Sequence, residues 1–194
     1  MKNYIQIGTN NGDDEFKKMM EKLDEKSNIF LIEPNFNLIK TITEQYKKLS
    51  TTHQVFILNI GIVSDKTINI LNLYKTGDGH SSILKRKSHD CIIDKITFTP
   101  KTLREVLKEY NIQEIELLYI DTEGYDYTIL NSTPLEEFSI KEIICEVWPY
   151  DIDSCENIKT GPSFFENVIK PKMFNYDIST ITLDGVINHR FIKK

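Results

Sequence analysis

Residues 5–12 read IQIGTNNG, and residues 30–35 read FLIEPN. In each stretch, an apolar run typical of a buried strand ends at polar residues. The first run enters a turn bounded by Gly8 and Gly12, where missing side chains allow tight backbone geometry and close approach of a ligand. The second run ends on Glu33, a carboxylate placed to accept hydrogen bonds from the two hydroxyls of a ribose. Together they predict a nucleoside-binding edge of an open α/β sheet.

The segment between these stretches completes a crossover between parallel strands. Within residues 13–23, Phe16, Met19, Met20 and Leu23 recur with the spacing of one helix face. A strand, a helix and a second strand of this length form the usual connection between parallel neighbours. We therefore expect this helix to pack on the sheet.

The glycine turn argues against a cofactor that contains a pyrophosphate. Asn10 stands where the dinucleotide pattern Gly-x-Gly-x-x-Gly has its middle glycine, and Asp13 and Asp14 open the following helix. Two carboxylates there would repel a phosphate but attract a cofactor with a cationic sulfonium centre. The alternative is that the glycine pair forms only a turn.

Length and composition predict one globular domain over residues 1–194. A net charge of -5 argues against a surface built for nucleic acid, although residues 85–87 form a basic cluster. Three cysteines without a Cys-x-x-Cys pair indicate free thiols, and no apolar stretch is long enough to span a bilayer. We therefore predict a cytoplasmic protein. His80, His89, Asp90 and Cys91 match no zinc spacing, so we expect no metal site.

Further segments extend the pattern to a mostly parallel sheet. Helices are predicted over residues 35–49, 102–110 and 164–168, and Thr102 with Glu105 forms a capping-box signature. Strands are predicted over residues 55–58, 117–120 and 143–145, with an extra strand or hairpin over 68–74 and a Gly77-Asp78-Gly79 loop. Residues 174–178 and 186–191 predict a closing antiparallel hairpin around Asp184 and Gly185. The outline is a Rossmann-like α/β fold of the class I methyltransferase type.

Carboxylates follow three of the predicted strands. These are Glu33, Asp121 and Glu146, and Asp121 opens the phrase Asp-Thr-Glu-Gly, which also contains Glu123. Because ligands of open α/β sheets bind at the carboxyl ends of the strands, we expect a binding or catalytic rim there. The alternative for each residue is a structural role as an acceptor for nearby backbone groups.

The chain resembles the FkbM family of S-adenosylmethionine-dependent methyltransferases over about residues 4–148. Residues 7–12 (IGTNNG) resemble the family's glycine turn, and Glu33-Pro34-Asn35 resembles its Glu-Pro-Asn ribose corner. Residues 59–62 (NIGI) resemble the segment after the third strand. Residues 120–126 (IDTEGYD) resemble the Asp-x-Glu-Gly-x-Glu signature, and residues 81–84 resemble a serine-containing segment before the linker to the fourth strand.

The resemblance implies an S-adenosylmethionine cofactor and roles for particular residues. Gly8, Asn10 and Gly12 would line its methionine part, and Glu33 would hold the ribose hydroxyls. Asp121 and Glu123 would lie beside the sulfonium and the acceptor. The remaining expected cofactor contacts are Pro34, Asn59 and Gly61.

Three departures from the family pattern affect the predicted site. Gln6 stands where relatives often have an acidic residue, and Asp126 replaces the second Glu of the signature. The sequence begins at its first strand, whereas many relatives place an N-terminal segment over the acceptor pocket. We therefore expect a partner subunit or an inserted loop to close the site.

The predicted reaction is methyl transfer to a hydroxyl of a sugar, a glycan or another small molecule. Asp121 is the expected base, with Glu123 orienting the acceptor or serving as the base instead, and Glu146 is a third catalytic candidate. Trp148 and Tyr150 are candidates to form a wall for the acceptor. One alternative is an RNA 2'-O-methyltransferase, and another is a catalytically silent cofactor-binding module that scaffolds a partner. Homo-oligomerisation also stays open.

Overall fold

A seven-stranded sheet forms the centre of the computed structural model, which describes residues 1–74, 81–82, 92–148 and 161–194. The strands are β1 (Asn3–Ile7), β2 (Asn28–Ile32), β3 (Gln54–Leu58), β4 (Gly61–Ile62), β5 (Ile70–Tyr74), β6 (Ser81–Ser82), β7 (Ile92–Thr97), β8 (Pro100–Lys101), β9 (Glu114–Ile120), β10 (Ser139–Glu146), β11 (Tyr176–Leu183) and β12 (Val186–Lys193). The helices are α1 (Glu15–Met20), α2 (Ile39–Gln45), α3 (Leu103–Glu109), α4 (Asp126–Ser132), α5 (Pro162–Phe164) and α6 (Lys170–Lys172), with a π-helical segment at Phe165–Ile169.

The strand order across the main sheet is β11-β12-β10-β9-β1-β2-β3. Neighbours from β3 to β10 are parallel, whereas β12 is antiparallel to β10 and to β11. This confirms the predicted mostly parallel sheet with a C-terminal antiparallel hairpin, which turns at Asp184 and Gly185. The chain moves outward from β1 to β3 and then returns to β9 on the other side of β1. The topological switch point therefore lies between β1 and β9.

Both faces of the central strands β1, β2 and β9 are covered, which explains why these strands are largely apolar. On β1, Ile5 and Ile7 pack in the core on the side of α3 and α4. Tyr4 belongs to the core on the opposite face, together with Phe16 of α1 and Ile42 of α2. The two cores hold the strand ends in fixed relative positions, which is what the site at those ends requires.

Helix boundaries follow the capping residues. α1 begins after Asp14, whose side chain accepts a hydrogen bond from the Lys17 amide, and it ends at Met20, earlier than the predicted residue 23. The capping box of Thr102 and Glu105 is present at the start of α3. Asn35 caps a 3-10 turn at Phe36–Leu38 that leads into α2. The described elements that we did not predict include β7, α4 and the short strands β4, β6 and β8.

Two small sheets are formed by strands that lie between β3 and α3 in the sequence. The antiparallel sheet β6-β5-β7 contains the predicted extra strand as β5, and β4 pairs with β8 through two residues on each side. Several sequence predictions lie outside the described residues, namely those on the Gly77-Asp78-Gly79 loop, residues 83 and 84, the basic cluster at 85–87, the possible ligands His80, His89, Asp90 and Cys91, and Tyr150.

Cys145 is a buried free thiol in β10. In the described ranges, no helix has the length and apolar character needed to cross a membrane. The same ranges contain no group of three His, Cys, Asp or Glu side chains arranged to hold a metal ion.

Candidate functional site

A cleft opens at the carboxyl ends of β1, β2 and β9, at the topological switch point. Its lining combines apolar side chains, two glycines and three carboxylates. The lining residues are Ile7, Gly8, Asn10, Ile32, Glu33, Pro34, Gly61, Ile62, Leu71, Asp121, Thr122 and Glu123. Of the predicted site residues, the structure thus brings Gly8, Asn10, Glu33, Pro34, Gly61, Asp121 and Glu123 together.

Gly8 allows the ends of β1 and β9 to approach each other closely. Its φ is +84°, and a Cβ at this position would clash with the carbonyl oxygen of Asp121. Its amide donates to the carbonyl oxygen of Ile32 at 3.0 Å, which ties the turn to β2 as well. A side chain at residue 8 would therefore separate the strands that form the floor of the cleft.

Glu33 is buried and is held by backbone amides on both sides of its carboxylate. Oε2 accepts from the Asn10 amide and Oε1 accepts from the Asn35 amide, each at 2.8 Å. Burial raises the pKa of Glu33 to about 7, although both hydrogen bonds favour the ionised form. Each carboxylate oxygen keeps a further lone pair for a ligand hydroxyl.

Two of the predicted cofactor contacts do not line this cleft. Asn59 donates from Nδ2 to the carbonyl oxygens of Glu33 and Pro34, at 2.9 and 3.1 Å, so it fixes the backbone of the ribose corner. Gly12 lies under the turn, where an added Cβ would sit 3.3 Å from the Tyr46 ring. Both residues support the turn and the corner from outside the cleft.

The acidic residues at the strand ends form one electrostatic group. Asp121 and Glu123 line the cleft, whereas Glu146 lies outside its lining and accepts from Nε1 of Trp148 at 3.0 Å. Burial, together with the charges of Glu146 and Glu123, raises the pKa of Asp121 well above its usual range. A cation in the cleft would relieve this repulsion, and the base role predicted for Asp121 would then be served by an ionised carboxylate.

Asp13 and Asp14, the two carboxylates that we expected to repel a phosphate and to attract a sulfonium, lie outside the cleft lining. Asp14 instead caps α1 and accepts from Nε2 of Gln6 at 2.6 Å. Gln6, which stands where relatives often have an acidic residue, thus contacts the Asp14 carboxylate at the start of α1 through its neutral amide. Within the described ranges, the cleft lining contains no cationic side chain.

The residues near the cleft that were not among the predicted cofactor or catalytic contacts include Ile62, Leu71, Ser82 and Asp126. Ile62 and Leu71 add apolar wall, and Ser82 donates from its hydroxyl to the carbonyl oxygen of Glu123 at 3.1 Å. Asp126 accepts through Oδ2 from the Thr122 hydroxyl and the Gly124 amide, at 2.9 and 3.2 Å. The sequence signal for Asp126 is a carboxylate two residues after a glycine, which is the spacing of a local backbone cap.

Comparison with protein families identifies one domain that covers most of the chain. The methyltransferase FkbM domain matches residues 6–170. No curated protein sequence matches the chain significantly.

Solved structures with a similar fold share little sequence with this chain. A putative rRNA methylase from Clostridium thermocellum aligns with a TM-score of 0.55 at 10% identity, covering 100% of this chain and 89% of the other. A methyltransferase from Geobacter sulfurreducens gives 0.53 at 8%, with 100% and 71% covered. Fibrillarin from Aeropyrum pernix, crystallised with natively bound S-adenosyl-L-methionine, gives 0.51 at 8%, with 98% and 66% covered. These similarities establish a shared Rossmann-like fold.

Proposed function

Because the chain belongs to the FkbM methyltransferase family, we propose that it transfers a methyl group from S-adenosylmethionine to a hydroxyl of a sugar, a glycan or another small molecule. The observation that carries this proposal is the buried Glu33 carboxylate at the sheet switch point, aligned by the amides of Asn10 and Asn35. We also propose that the reaction takes place in the cytoplasm, on the basis of the cysteine pattern.

The described residues fit S-adenosylmethionine in three respects. Glu33 has lone pairs left for the ribose hydroxyls, and the apolar side chains of Ile62 and Leu71 can contact the adenine ring. Asp121 and Glu123 give the cleft the negative charge that a sulfonium requires. A pyrophosphate cofactor fits less well, because the same carboxylates would repel its phosphates.

When bound, the cofactor supplies an electrophilic methyl carbon on a sulfonium. The protein aligns the acceptor oxygen with that carbon and excludes water. Asp121 takes the proton of the acceptor hydroxyl onto its carboxylate, which the positive charge of the bound cofactor keeps ionised. Glu123 orients the acceptor from the same edge of the cleft.

An RNA acceptor is the second candidate, and the described cleft offers less support for it. The Lys-Asp-Lys-Glu arrangement of RNA 2'-O-methyltransferases requires lysines at the reacting hydroxyl, and none lines the described part of the cleft. The net charge of -5 also disfavours a nucleic-acid surface. A silent binding module remains the third candidate, and it would bind the cofactor without transferring methyl groups.

Calorimetric titration with S-adenosylmethionine, S-adenosylhomocysteine and NAD tests the cofactor. We expect saturable binding of the first two and at least tenfold weaker binding in Glu33→Ala, about 1.4 kcal/mol. Glu44→Gln is the matched control, because Glu44 is exposed on α2. Binding of NAD in preference to S-adenosylmethionine, or equal binding by Glu33→Ala, would contradict the proposal. Transfer of labelled methyl groups to panels of sugars, glycans and RNA then separates the three candidates.

A further inference from the structure

Glu123 adopts a backbone conformation that is unfavourable for its residue type. Its φ is +57°, in the left-handed region that is unfavourable for a residue with a Cβ. The other non-glycine residues with positive φ in the described ranges are Asn10, Asn111 and Asp184. Asn and Asp tolerate this region because their short side chains can bond locally. A glutamate there must be held by its surroundings.

Asp126 holds the turn from the side of α4. Its Oδ2 accepts from the Thr122 hydroxyl and from the Gly124 amide, so one carboxylate oxygen binds the residues on both sides of Glu123. Asp126 is only 2% exposed, and its Oδ1 has no hydrogen-bond partner among the described residues. A buried carboxyl group with an unpaired oxygen is costly, so this carboxylate needs a compensating role.

Ser82 holds the same turn from the opposite side. It is 1% exposed in β6 of the small antiparallel sheet, and its hydroxyl donates to the carbonyl oxygen of Glu123 at 3.1 Å. The backbone of Glu123 is therefore fixed both by α4 and by β6 of the small antiparallel sheet. Glu123 lines the cleft together with Asp121.

We propose that Asp126 and Ser82 are positioning residues that hold Glu123 in its strained conformation and so direct its carboxylate at the cationic centre of the bound cofactor. The proposal rests on the proposed function, because the cation is the sulfonium of S-adenosylmethionine. Glu123 then favours the charged cofactor over the neutral product, S-adenosylhomocysteine. The strained backbone at this turn thus helps the cleft to bind the charged cofactor more tightly than the neutral product.

The ratio of the dissociation constants for S-adenosylhomocysteine and S-adenosylmethionine tests the positioning role without knowledge of the acceptor. We expect the wild-type protein to prefer S-adenosylmethionine, and Glu123→Gln to reduce that preference about fivefold. Asp126→Ala and Ser82→Ala should reduce it in the same direction. Asp126→Asn should keep the wild-type preference for S-adenosylmethionine, because its carboxamide oxygen can still accept from Thr122 and Gly124.

A purely structural role of Asp126 and Ser82 would weaken binding of both ligands equally and leave the ratio unchanged, which would overturn the positioning role. Ser82→Ala removes the hydroxyl that donates to the Glu123 carbonyl oxygen, and it keeps the test valid should Asp126→Ala fail to fold. If the wild-type protein binds neither ligand, the proposed function is wrong, and the role of Glu123 toward a sulfonium is wrong with it. An unchanged ratio with intact binding overturns the positioning role alone.

The strain itself is tested by comparing Glu123→Gly with Glu123→Ala. Both variants remove the same charge, but only glycine adopts positive φ without cost. We expect Glu123→Gly to unfold at the higher urea concentration, the reverse of the order at an ordinary position. If Glu123→Ala proves the more stable variant, the strained conformation is refuted.

Discussion

The Glu33 carboxylate and the Asn10 amide are joined by a hydrogen bond of 2.8 Å, which connects the end of the second strand to the glycine turn after the first. The other oxygen of the same carboxylate binds the Asn35 amide, also at 2.8 Å. One buried side chain therefore aligns the two segments that the sequence marks as a nucleoside-binding edge. The ionisation state of Glu33 controls both the alignment and the hydrogen bonds left for a ligand.

Cofactor affinity should increase as the pH rises through 7. The pKa of Glu33 in the free protein is about 7, and the ionised form is the better acceptor for ribose hydroxyls. Between pH 6 and 8 the ionised fraction increases from about one tenth to nine tenths, so we expect about tenfold tighter binding of S-adenosylmethionine. Calorimetric titration at pH 6, 7 and 8 measures the change. Glu33→Gln should give a flatter profile, and a flat profile in the wild-type protein would contradict the prediction.

The free energy of unfolding should depend on the ionisation of Asp126 at pH values well above those at which ordinary aspartates titrate. Burial and the charge of Asp121 raise the pKa of Asp126 to about 7, compared with about 3.9 in the unfolded chain. The folded state therefore binds more protons between these values, and the stabilisation present below pH 4 is lost as the pH rises toward 7. Relative to Asp126→Asn, the wild-type protein should lose up to roughly 4 kcal/mol across this range.

Urea unfolding of both proteins at pH 4.5, 6 and 8 gives this difference directly. The unfolding free energy of Asp126→Asn must be subtracted from that of the wild-type protein, because His189 also titrates in this range. Burial lowers the pKa of His189 to about 4, which makes both proteins more stable as the pH rises from about 4 to 6.5. A difference that stays constant with pH would show that Asp126 titrates normally.

The loss of stability on alanine substitution at three glycines should increase as the space available for the added Cβ decreases. Gly185 has a φ of +82° but no neighbour within 4 Å, so Gly185→Ala should cost only about 1 kcal/mol of backbone strain. Gly12→Ala adds contact with Tyr46 at 3.3 Å and should cost more. Gly8→Ala forces a Cβ into the Asp121 carbonyl oxygen and should cost about 3 kcal/mol or more.

Urea midpoints measure the ranking for the variants that fold, and soluble yield measures it for any that do not. Equal costs at Gly8 and Gly185, which have nearly the same φ, would mean that the close approach of the two strands is unimportant.

Glu146→Gln should separate cofactor binding from methyl transfer. Because Glu146 lies outside the cleft lining, the dissociation constant for S-adenosylmethionine should change less than about threefold, whereas Asp121→Asn should weaken binding clearly. The fluorescence of Trp148, the single tryptophan of the chain, should change in Glu146→Gln because its indole donates to Glu146. Loss of methyl transfer with intact cofactor binding would support the catalytic role predicted for Glu146. Loss of both would place this residue in the cofactor site.

The strand ends were predictable because the signals are local. An apolar run that stops at Gly8, Glu33 or Asp121 identifies both a buried strand and the edge at which it ends. The capping box at Thr102 is equally local, and the structure confirms it. Parallel pairing then brings these ends to one edge, so much of the cleft lining follows from the order of the strands.

Other features depend on contacts between distant parts of the chain. Asn59 has the sequence context of a cofactor contact, but its amide binds the backbone of Glu33 and Pro34. Helix α4 has no side-chain cap at its start, and its carboxylate at Asp126 turns back into the preceding loop. The contact between Ser82 and Glu123 spans 41 positions, and no periodicity in either segment indicates it.

The short ladder of β4 and β8 pairs Gly61 with Pro100 and Ile62 with Lys101. Residues 63–99 therefore leave and rejoin the body of the protein at adjacent points of the backbone. Changes in the length or sequence of this segment can accumulate during evolution without altering the register of the seven-stranded sheet. Because Leu71 and Ser82 reach the site from this same segment, a change in the segment can alter the wall of the cleft while the seven-stranded sheet keeps its pairing.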